Sequence, residues 1–70
     1  MERKLLRRRV RSRYDKIEDF CAEVGATTNF MSTVFTGEKD PSFNLVRKMG
    51  ERLDIRRGEI GDLFFPEVKE

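Results

Sequence analysis

The chain has 70 residues, 40% of them charged and 37% hydrophobic, with a net charge of +2. A single domain of this length has a small core, because it buries only about 60% of the surface its unfolded chain exposes. One cysteine, Cys21, excludes an internal disulfide, and no apolar run approaches the roughly 20 residues of a membrane span.

The apolar residues recur at helical spacing, which argues against disorder despite the charge, and five short helices are expected. The first covers about residues 3–13. Leu6, Val10, Tyr14 and Ile17 form one apolar stripe, and arginines surround it. The second covers about 16–24. Ile17, Phe20, Cys21 and Val24 fall at i, i+3, i+4 and i+7. Asp15 is its expected N-cap, with Glu18 as capping-box partner, and Gly25 ends it in a left-handed conformation. The third covers about 27–36, capped by Thr27 or Thr28 and closed by Gly37. Met31 and Val34, helped by Phe35, supply its inward side. Thr28, Asn29, Ser32, Thr33 and Thr36 are left as a polar face.

Asp40 precedes Pro41 and is biased away from helix. Ser42 is a good N-cap for the fourth helix, about 43–53, which Leu45, Val46, Met49 and Leu53 line on one side. Gly50 inside it costs about 1 kcal/mol relative to alanine, so a close helix approach is expected there. The fifth helix, about 57–65, has Ile60, Leu63 and Phe64 on its apolar side and stops at Pro66. Residues 1–66 thus read as one compact all-α domain of four or five helices. Residues 67–70 read as a loose tail.

Charge is unevenly placed. Residues 1–16 carry eight Lys/Arg against Glu2 and Asp15, whereas residues 17–40 carry five carboxylates against Lys39. A basic end suits a polyanion partner, and it also suits a solvated helix face. The chain has no histidine. It shows no metal-ligand cluster, nucleophile–base pair or Gly-rich phosphate loop, so neither enzymatic activity nor a cofactor is expected. A cytoplasmic location is the simplest reading of the cysteine usage.

Only Gly25-Ala26-Thr27 separate the second and third helices, a link short enough for a helix-turn-helix. Phe20, Cys21, Val24, Ala26, Met31 and Val34 are expected to face inward. The segment from Ile17 to Ile55 resembles the Cro and lambda-repressor helix-turn-helix family, also called the XRE family. The matching features are Gly25 at the turn, Thr27-Thr28-Asn29-Phe30-Met31-Ser32 opening the third helix, and Gly37 closing it. The run Pro41-Ser42-Phe43-Asn44-Leu45-Val46-Arg47-Lys48-Met49 matches the family's fourth helix. Leu53-Asp54-Ile55 and Ile60-Gly61-Asp62-Leu63-Phe64 complete the pattern.

The resemblance implies a DNA-binding transcriptional regulator, of the kind small phages and prophages carry, whose third helix enters the major groove of an operator. Its base readers would be Thr27, Thr28, Asn29, Ser32 and Thr33. Asn favours adenine, and Thr methyls favour the thymine methyl. Lys16, Lys39, Ser42 and Asn44 would approach the phosphate backbone, with Arg3, Lys4 and Arg7 as further candidates. The plain structural alternative makes Thr27 and Thr28 caps and Asn29 a solvated residue. A homodimer on DNA is implied, with Leu63, Phe64, Phe65 and Val68 as the candidate interface. Two features point elsewhere. The third helix has no Arg, Lys or Gln, and Glu18 and Asp19 sit near the second helix's start. Phe30 and Phe35 also read as exposed. A protein-binding modulator or antirepressor, with a repressor as partner, is the alternative.

Overall fold

The computed structural model describes residues 2–65. Among them there are five α-helices and no strand: α1 (Lys4–Arg13), α2 (Ile17–Val24), α3 (Thr28–Thr36), α4 (Phe43–Leu53) and α5 (Arg57–Phe64). The expected helices are all present, with ends shifted by a residue at most. Pro66, Val68 and the expected tail lie outside the described residues. No described helix is long and apolar enough to cross a membrane.

The turns follow from residue chemistry. Gly25 and Gly37 end α2 and α3 at φ of 75° and 86°, where a side chain would be strained. Thr27 caps α3, its hydroxyl oxygen accepting from the Phe30 N–H at 3.0 Å. Ser42 caps α4 in the same way, through Leu45 N–H at 3.2 Å. The expected cap of α2 is corrected. Its N-cap is Lys16, in an extended conformation, and no side chain bonds to that terminus, Asp15 included. The helix simply begins one residue too late for Asp15. Glu18 and Asp19 instead complement the positive end of the helix dipole.

Helix α1 touches all four others, so the core gathers around it. Leu6 and Val10 share one buried cluster with Phe20, Cys21 and Val24 of α2, Met31, Val34 and Phe35 of α3, Met49 and Leu53 of α4, and Leu63 and Phe64 of α5. Tyr14 and Ile17 are half-buried at the edge, since α1 stops before them. The Tyr14 ring meets Phe20 edge to face at 5.2 Å.

Three expectations change here. Phe35 is buried, not exposed, and the Arg7 guanidinium lies over its ring at 5.5 Å. Leu63 and Phe64 are closed inside the monomer, where α5 packs against α1, so they offer no free dimer face. Gly50 makes no close approach, since a Cβ there would meet no atom within 4 Å.

Arg3 departs furthest from expectation. It is 2% exposed. Its Nε donates to the Phe64 carbonyl at 2.6 Å, and its terminal nitrogens donate to Val34 O at 2.7 Å, Lys39 O at 3.2 Å and Asp40 Oδ1 at 2.6 Å. Its backbone N–H also donates to Phe35 O at 2.7 Å. One side chain therefore supplies donors to carbonyls at the ends of both α3 and α5, where the last turn of a helix leaves carbonyls without intrahelical partners.

Candidate nucleic-acid interface

The three-residue link packs α3 against α2 and leaves the start of α3 outward. Thr28, Asn29 and Ser32 are exposed on it. Thr27 is exposed too, but its oxygen is engaged as the cap. Thr33 is half-buried, and its hydroxyl donates to the Phe30 carbonyl at 2.6 Å. Among the five expected readers, Thr28, Asn29 and Ser32 therefore have polar groups uncommitted to the fold.

Three shallow depressions surround these residues. Thr28 and Ser32 share one with Arg7, Arg11 and the edges of Ile17 and Phe35. Thr28 shares a second with Lys16, Arg11, Asp15 and Glu18. Thr27 lines a third with Phe30, Ser42, Asn44 and Lys48. The backbone candidates Lys16, Ser42 and Asn44 thus come together around α3. Lys39 is exposed but lines none of these depressions, and its backbone is held by Arg3 and by Thr33 O at 3.2 Å. Lys4 is exposed away from them, and Arg3 is spent inside the fold.

Arg11 and Lys48 were missed from sequence. The helical period contains the signal, since Arg11 is four residues beyond Arg7 and Lys48 four beyond Asn44, which places each pair on one face.

Electrostatics sorts the cations. Arg3, Arg9, Arg13 and Arg52 pair with Asp40, Glu59, Asp54 and Glu23. Arg7, Arg11, Lys16 and Lys48, which border α3, form no salt bridge with any described carboxylate. The paired arginines act within the fold, and Arg7 is engaged with the Phe35 ring. Two shifted groups lie behind this face. The Tyr14 hydroxyl donates to Glu23 at 2.6 Å, which holds its pKa above the ordinary value. Burial, helped by nearby Glu18, raises the Cys21 thiol and keeps it protonated and unreactive.

No protein-family model, no curated protein and no solved structure matches the chain.

Proposed function

We propose that the protein binds double-stranded DNA in a sequence-specific manner and regulates transcription, as a Cro-like member of the XRE type. In this reading α3 lies in the major groove. Thr28, Asn29 and Ser32 meet base edges, and Asn29 offers a bidentate pair to adenine. Arg7, Arg11, Lys16 and Lys48 meet phosphates on either side, joined by the free N–H groups at the start of α4 behind Ser42. The observation that carries the reading is that the uncommitted polar face of α3 is flanked by cations that form no salt bridge with a described carboxylate.

The magnitude is checkable. Each neutralised phosphate contributes about −0.9 to the slope of log K against log salt. Four cations give a slope near −3.6 per bound domain by the same rule. Asn29→Ala should cost about 1–3 kcal/mol on the cognate duplex and little on an unrelated one. Equal loss on both duplexes would remove Asn29 as a base reader.

A second reading is favoured by Asp15 and Glu18, which stand in the same depression as Lys16 and Thr28 and repel phosphate. In that reading the α3 face docks a protein, such as a repressor, and the half-buried Phe30 is an anchor. Such a contact has little dependence on salt, which separates it from the first.

A further inference from the structure

Two cations of α1, Lys4 and Arg8, lie outside the depressions around α3 and yet continue its border of positive charge. Lys4, Arg7, Arg8 and Arg11 fall at i, i+3, i+4 and i+7, so they share one face of α1, distinct from the buried stripe of Leu6 and Val10. Lys4, Arg8 and Arg11 are exposed, and Arg7 is half-buried over the Phe35 ring. None of the four forms a salt bridge with a described carboxylate, whereas Arg9 and Arg13, on the other flank of the helix, pair with Glu59 and Asp54. The row runs beside α3 in the opposite direction. Arg11 borders Thr28 at the start of α3, Arg7 borders Ser32 and Phe35, and Arg3 bonds to the Val34 and Phe35 carbonyls near its end.

We propose that this row is a phosphate-binding rail, on which Lys4 and Arg8 extend the contacts of Arg7 and Arg11 along one strand of the duplex, beyond the groove that α3 enters. The inference deepens the reading of α3 and rests on it for where the duplex lies. Like charges at i, i+3 and i+4 repel one another and weaken a helix. No described carboxylate relieves that repulsion here, and a strand of phosphates does, with release of its counterions. No apolar side chain stands within the row. Leu5, the one exposed large apolar residue described on α1, lies outside it, so the row has the chemistry of a phosphate contact and lacks the apolar anchor of a protein contact. Asp15 and Glu18 stand beside Arg11, and Arg8 and Lys4 lie about one and two turns farther along α1.

Salt titration on the duplex that the protein selects tests it. At about −0.9 per neutralised phosphate, Lys4 and Arg8 steepen the slope of log K against log salt from about −3.6 to about −5.4. Lys4→Gln and Arg8→Gln should each return about 0.9 of that slope. The preferred sequence and the helical circular dichroism should not change, because both side chains are exposed. Arg13→Gln removes the same charge from the paired flank of α1 and should leave the slope as it is. A parent slope near −3.6 that Arg8→Gln does not alter overturns the rail and leaves α3 as the reader. Equal loss from Arg8→Gln and Arg13→Gln also overturns it, because net charge alone then explains the effect. A steep slope that Arg8→Gln reduces on every duplex, with no preferred sequence, supports the rail and refutes sequence reading by α3. A protein that binds no duplex removes both.

Discussion

Arg3→Met tests how the fold is tied together. Methionine keeps an unbranched stem in the buried site and removes the guanidinium. Replacing a buried charge by an apolar group is often neutral, because desolvation of the charge is relieved. Here the partners decide otherwise. The carbonyls of Phe64 and Val34 lose donors in a buried setting, at about 1–3 kcal/mol for each unsatisfied acceptor. Val34 O retains a second donor, Gly37 N–H at 3.2 Å, so its loss falls at the low end. Asp40 is 73% exposed and recovers water, so its part of the ion pair adds little. The net cost is about 2–4 kcal/mol by this reasoning. A domain of this length has a stability of about 4–10 kcal/mol, so the loss is a large share of it. With a urea m-value of about 1 kcal/mol/M, the unfolding midpoint should fall by about 2 M or more. Asp40→Asn should lower it by less than about 1 M, because an exposed pair contributes at most about 1 kcal/mol. A midpoint for Arg3→Met within about 0.5 M of the parent, or an Asp40→Asn effect of the same size, would refute the assignment of Arg3 as an internal tie.

Thr27→Ala should lower stability by about 1 kcal/mol through loss of the α3 cap, whereas Thr28→Ala should leave stability unchanged and weaken DNA binding; urea unfolding and binding isotherms separate the two. Gly50→Ala should raise the melting temperature, since alanine gains about 0.5–1 kcal/mol in a helix and no atom opposes its Cβ. Glu59 accepts from the Arg56 N–H at 3.1 Å and from the Arg9 guanidinium, and both hold its pKa below the usual carboxylate range. A depressed folded pKa gives stability that is present above the unfolded value of about 4.3 and is lost as pH falls through the folded pKa. Glu59→Gln should therefore be less stable than the parent at neutral pH and lose less on acidification, as read from urea midpoints at pH 7 and pH 3. Arg11→Ala or Lys48→Ala should reduce the magnitude of the salt slope by about 1 on any duplex, with no change of preferred sequence.

The helices were legible because each carries a 3.6-residue apolar stripe and because Gly25, Gly37 and Ser42 punctuate the chain. The exposed start of α3 was legible for the same reason, since its inward positions are fixed by Met31 and Val34. What escaped depends on contacts distant in sequence. Arg3 reads as one more cation of a basic segment, yet its partners lie 31 to 61 residues away. Nothing local indicates that the ends of α3 and α5 leave carbonyls needing a donor at that point. Phe35 reads both as an inward helper of Met31 and Val34 and as an exposed ring, because an aromatic at the edge of a helix's inward side goes either way until its neighbour, here α1, is placed. Leu63 and Phe64 have the pattern of a sealing helix and of a dimer face alike. Only the placement of α5 against α1 separates them. Gly50 suggests a close approach by composition, and the structure has an open groove there instead.

The central claim is that α3 reads duplex DNA. Repeated selection of the purified protein on random duplexes, followed by salt titration of the enriched sequences, tests it most directly. The account predicts an enriched motif with A·T pairs at the readout positions, arranged as two related half-sites, and affinity that falls steeply with salt. Weak, sequence-blind binding with no enriched motif would contradict it.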